Sequence, residues 1–175
     1  MMTTRLPTQV EPYRLAASGQ RLEGLVSLAA MPRLAEEAGA QQGDCEVTLQ
    51  FGLDAQGRRY IEGWLEAGVQ LACRRCLEPM PVAIDSHWLL GMVTSDSLAA
   101  KLPGDYEPVL VEDEQLNLLP VLEDEIILSL PQVVYHDEAH CAVSRDQLVS
   151  GDAAEVSQSA PASPFDVLRT LKDKH

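Results

Sequence analysis

Basic side chains are scarce in this sequence: 13 Lys and Arg stand against 27 Asp and Glu, a net charge of −14. So acidic a chain repels phosphate, which excludes simple electrostatic attraction as its route to nucleic acid. Aromatic residues make up only 5%, so the core must be built mainly from Leu, Val, Ile and Ala. No apolar run approaches the roughly 18 residues of a membrane span, and a membrane partner is not expected. The opening residues, Met1 to Pro7, lack the basic flank and apolar stretch of a signal peptide, so the expected location is the cytoplasm. Only four cysteines are present, and in a reducing compartment they suit a core, a metal site or redox chemistry better than disulfides. The signatures G-x-S-x-G, G-x-x-x-x-G-K, G-x-G-x-x-G and H-E-x-x-H are missing. No catalytic residue is assigned, and enzymatic activity is not expected.

What is present reads as one α+β domain over residues 1–149. Short helices are expected near Glu11–Leu15 and through Arg33–Ala38, the second ended by Gly39. From Cys45 the period becomes two: Cys45, Val47, Leu49 and Phe51 share one face, with Glu46, Thr48 and Gln50 on the other. A turn at Asp54–Gly57 leads to a return strand at Tyr60–Leu65, then a third strand at Val69–Cys73 and a fourth at Val82–Val93. Tyr106–Val111 suits a short edge strand, because Pro108 cannot donate to a ladder on both sides. Asn117 is placed to cap a helix over Leu118–Leu130, stopped by Pro131, with Leu119, Leu122, Ile126 and Leu130 facing the sheet and Glu123, Asp124 and Glu125 largely outward. The expected architecture is an antiparallel sheet, flat or curled towards a barrel, packed by a few helices. Residues 150–163, rich in Ser, Ala, Gly and Pro, read as a flexible linker. Residues 164–175 read as a short amphipathic helix capped by Ser163, whose Phe165, Leu168 and Leu171 can dock on the same molecule or anchor in a partner's groove.

Cys73-Arg74-Arg75-Cys76 is the sharpest local motif, since two thiolates at this spacing on a turn can share one tetrahedral metal ion. It supplies half a site. His136, His140 and Cys141 are candidates for the other half, with zinc as the cofactor, against the alternative of reduced thiols packed in a turn. A thioredoxin-like reading fails, because Pro79 and Pro81 deny the helix that would activate the first thiol. Cys45, on the apolar face of its strand, reads as a small buried hydrophobe. The basic residues cluster as Arg58-Arg59 and Arg74-Arg75, both at strand ends, and are candidate contacts for RNA or a partner. Residues 94–155 carry 2 basic against 14 acidic side chains, so the natural ligand of that region is something basic.

In order and spacing, Cys73-Arg74-Arg75-Cys76-Leu77, Tyr106-Glu107-Pro108, Glu123-Asp124-Glu125-Ile126-Ile127-Leu128-Ser129-Leu130-Pro131, His136-Asp137-Glu138-Ala139-His140-Cys141 and Ser163-Pro164-Phe165-Asp166-Val167-Leu168 resemble the YceD family of large-ribosomal-subunit RNA accumulation proteins. The resemblance runs from Leu6-Pro7 to the tail. It implies a non-catalytic part in synthesis, processing or stability of 23S ribosomal RNA. The partners it implies are a large-subunit RNA precursor or, given the acidity, a basic large-subunit ribosomal protein.

Overall fold

The computed structural model describes residues 4–144 and 147. Residues up to Cys141 form one compact unit; the second, Ala142–His175, lies almost wholly outside the described residues, as do the expected linker and the tail residues Phe165, Leu168 and Leu171.

The first unit is α+β. Five strands make its sheet, β2 (Arg21–Ser27), β3 (Asp44–Leu53), β4 (Arg59–Ala72), β5 (Pro79–Val93) and β6 (Glu107–Leu110), in that spatial order. Each of the first three neighbouring pairs is antiparallel, and β6 lies parallel to β5. The sheet remains open, with β2 and β6 as its edges, and does not close into a barrel. A bridge between Arg5 and Leu25 lays the N-terminal segment along the β2 edge. Two short strands, β1 (Gln9–Val10) and β7 (Leu116–Asn117), pair separately. Among the described residues four α-helices complete the unit: α1 (Pro12–Ala17), α2 (Pro32–Ala38), α3 (Asp96–Ala99) and α4 (Leu118–Ser129).

The period-two pattern of β4 explains the two layers. Ile61, Leu65, Ala67, Val69 and Leu71 are buried on one face, while Trp64, Glu66, Gly68, Gln70 and Ala72 alternate with them towards solvent. Cys45, Val47, Leu49 and Phe51 of β3 continue the buried face, where they meet Ala16 of α1, Leu34 of α2, and Leu122 and Ile126 of α4 in one core. Each fully buried Val, Leu, Ile or Phe among them contributes roughly 1.5–3 kcal/mol. Gly63 allows a close approach within that layer: a Cβ there would lie 2.2 Å from the ring of Trp88, its cross-strand neighbour.

Three expectations are corrected. Residues 22–28 read in the sequence only as an apolar stretch, yet most of them form β2, because Leu22, Gly24 and Val26 stand opposite Leu49, Val47 and Cys45 on the buried face. The separate strands expected at 60–65 and 69–73 are one continuous β4, since Ala67 keeps the inward alternation across the gap and Gly68 faces outward. Glu123 and Glu125 do not lie on an outer face; both are buried, and Glu123 is held by α2. Asn117 does cap α4, its Oδ1 accepting the backbone N–H of Leu119 at 3.1 Å. Among the described residues, no helix is long and apolar enough to cross a membrane.

Candidate metal centre

The turn between β4 and β5 begins where Ala72 pairs with Pro79. The backbone N–H of Cys73 donates to Glu78 O and that of Leu77 to Cys73 O, both at 2.9 Å. Leu77 takes a left-handed conformation, φ 62°, which a non-glycine residue adopts only at some cost. That reversal places the thiols of Cys73 and Cys76 on one side of the turn.

Pro131 ends α4, and the chain beyond it runs back to this turn. The backbone N–H of Arg74 donates to Val134 O at 2.9 Å, and that of His136 points at Cys73 Sγ at 3.4 Å. The Arg75 guanidinium donates to the carbonyl of His136 and lies over the Tyr135 ring, 5.5 Å from its centroid. A further turn, His140 N–H to Asp137 O, returns Cys141 to the cluster. Cys73 Sγ is then 4.0 Å from Cys141 Sγ, and Cys76 Sγ is 3.3 Å from His136 Nδ1. The four ligand atoms of Cys73, Cys76, His136 and Cys141 all lie within 4.8 Å of one another and can hold a metal ion. His140 is exposed and outside the group, because its neighbour Cys141 occupies the inward position.

The donor chemistry fits zinc. Tetrahedral Zn–S bonds of about 2.3 Å place two sulfurs roughly 3.8 Å apart, close to the spacing present. Backbone N–H groups from Arg75 and His136, each at 3.4 Å, point at Cys73 Sγ, as suits a thiolate ligand. Burial alone would push the Cys73 thiol up, but the backbone N–H groups of Cys76, His136 and Arg75 together outweigh it and hold Cys73 at about 5. Cys76 moves up: the Glu78 backbone favours its thiolate, yet burial and the neighbouring Cys73 and Cys141 oppose a second negative charge. A divalent cation would remove that opposition. Cys45 is apart from this chemistry, pushed up to about 12 chiefly by burial.

The two arginine pairs do not meet. Arg59 begins β4 and Arg74 follows its end, and a 14-residue strand separates them by about 40 Å. Arg58 is held by Asp54, with Nε 2.7 Å from Oδ2, and lies 5.7 Å from the centre of the Tyr106 ring. Arg59 lies over Tyr13 at 4.8 Å. Arg75 is spent on His136 and Tyr135. Only Arg74 of the four is exposed with no side-chain partner among the described residues, beside a cleft lined by Ala38, Leu71, Ile127, Leu130 and Val134. Tyr135 belongs to the site although no motif marked it; only its position beside His136 hinted at it.

A mixed sheet backed by helices, with a cysteine turn and a returning segment that together form a Cys3His cluster, defines a small α+β protein with a candidate structural metal centre. The model of the family described as "Large ribosomal RNA subunit accumulation protein YceD" matches residues 61–172, which contain the whole cluster. A protein of Haemophilus influenzae with that same description is 34% identical over 175 residues, covering 99% of this chain and 100% of its own length. No solved structure matches. The chain belongs to the YceD family.

Proposed function

We propose that this chain acts in the cytoplasm, without catalysis, in synthesis, processing or stability of 23S ribosomal RNA. Its relative's description as a large ribosomal RNA subunit accumulation protein supports this reading. The observation that carries the mechanism is the closure of the segment after α4 onto the β4–β5 turn by Cys73, Cys76, His136 and Cys141. Zinc held by these four would fix the returning segment and so fix Arg75, Tyr135 and the free Arg74 beside it. The ion contributes rigidity, and the chain's own residues make the contacts.

Arg74 is the best placed of the four arginines for RNA, because it is exposed and its guanidinium has no partner among the described residues. The acidic region 94–155 serves a different partner, a basic large-subunit ribosomal protein, to which it offers opposite charge and which it escorts. Removing the chain from its cells should lower 23S relative to 16S RNA, and wild-type protein should restore the ratio. An unchanged ratio would sink the proposal. Arg74→Glu separates direct RNA contact from escort: it should abolish crosslinking to precursor RNA while leaving recovery of basic ribosomal proteins intact.

A further inference from the structure

The helices of the core pack on one face of the sheet, and the opposite face of β3, β4 and β5 is open to solvent over most of its length. Register alone puts Glu46, Glu66 and Asp85 side by side there: Glu46 is the cross-strand partner of Glu66, and Glu66 of Asp85. All three are exposed, and none has a cationic partner among the described residues. Like charges directly opposite one another destabilise a sheet, so folding alone gives no reason for this row. The next row along the face is Thr48, Trp64 and His87. Trp64 stacks on His87 at 5.1 Å and stays 37% exposed, so an aromatic surface borders the carboxylates. On the other side of the carboxylates, Gly68 and Ala83 leave the floor low, making a shallow trough along Glu46, Glu66 and Asp85, with Asp44, already paired to Arg5, at its edge.

We infer that this open sheet face, with Glu46, Glu66 and Asp85 beside Trp64, is the docking surface for an arginine- and lysine-rich segment of a protein. Three carboxylates spaced by the roughly 4.8 Å between strands complement cationic side chains, and a guanidinium finds an aromatic face at Trp64. Small floor residues let a backbone approach. The same row repels phosphate, so nucleic acid is the wrong occupant. The inference rests on the reading that the chain escorts a basic protein, and it moves the escort surface from residues 94–155 to the sheet. Within 94–155, Glu123 and Asp124 are already bound by Arg33.

The test is fluorescence anisotropy of a labelled twelve-residue Arg-Gly repeat peptide with the full chain near physiological salt. The triple variant Glu46→Gln, Glu66→Gln, Asp85→Asn should weaken binding at least about tenfold, and Trp64→Ala about threefold. A control that removes the same charge from the loop before β7, Glu112→Gln, Asp113→Asn, Glu114→Gln, should change it less than about threefold. Each variant must keep the wild-type circular dichroism spectrum, and the face variant should melt no lower than wild type because repulsion is relieved. Equal weakening by both triples would mean diffuse attraction and overturn the inference, as would no binding by the wild type. So would a large-subunit RNA fragment that protects Trp64 from quenching where the peptide does not. The readout uses purified chain, so its failure is distinguishable from a failure of the RNA-accumulation role, which is scored in cells.

Discussion

The carboxylate of Glu123 on α4 sits at the start of α2, 2.6 Å from the backbone nitrogen of Arg33, a residue 90 positions earlier. The same oxygen accepts the N–H of Leu34 at 3.0 Å, and the other oxygen takes the Arg33 guanidinium at 3.0 Å. Arg33 also reaches Asp124 and Pro120 O, so one arginine and one buried carboxylate fasten α2 to α4. The N-cap of α2 is Met31, which has no side chain able to satisfy those donors.

Truncating Glu123 therefore removes a remote cap and leaves the N–H groups of Arg33 and Leu34 unpaired. Glu123→Ala should destabilise the fold by about 2–3 kcal/mol, and Glu123→Gln by less, since an amide oxygen can still accept. Urea denaturation measures both. Equal losses would show that charge, not the acceptor geometry, does the work.

Purified from cells, the chain should carry one zinc per molecule by elemental analysis. Cys76→Ser or Cys141→Ser should lose it, whereas His140→Ala should keep it, because His140 is outside the cluster. Chelation should speed hydrogen exchange in residues 131–141 while the centres of β3 and β4 stay protected, since those strands hold their own core.

Glu125 is pushed up to about 7, first by burial and then by the charges of Glu107 and Asp124. A carboxyl raised in the folded state favours folding fully below its unfolded value near 4.5 and loses that contribution as pH rises through about 7. Glu125→Gln should thus leave stability near pH 4 unchanged and raise it at pH 8, by about 1 kcal/mol once solvent screening is allowed for. Melting temperatures across that range test the sign; a variant less stable at pH 8 would refute it.

Gly63→Ala should be costly in a way that its helix or strand propensity does not suggest. The added methyl would meet the buried Trp88 ring, which is itself tied into the core, and overpacking of this kind costs about 1–3 kcal/mol. Near-ultraviolet circular dichroism should report the displaced indole, and the smaller Trp88→Leu in the same chain should restore part of the loss.

Period two was legible in β3 because one of its faces is buried and the other wet, and the same alternation marked β5. It failed on β2, where Leu22, Leu25 and Val26 are only partly buried and the pattern blurs into an apolar stretch. The break expected inside β4 falls at Glu66, Ala67 and Gly68, where the local sequence loses its large apolar residues. Ala67 is instead buried and Gly68 is an outward position on the open face, both held in register by the neighbouring strand β5.

Family, α+β class, the capped α4 and the cysteine turn are all legible along the chain, because each is written in local spacing or in ordered motifs. Tertiary structure decided which of His136, His140 and Cys141 join Cys73 and Cys76, since ligand choice depends on how a turn more than 50 residues away orients each side chain. It also decided that Arg58 and Arg59 lie a strand's length from Arg74, and that Glu46, Glu66 and Asp85 stand in one row. Charge counted along a chain has no direction, and only cross-strand register gives it one.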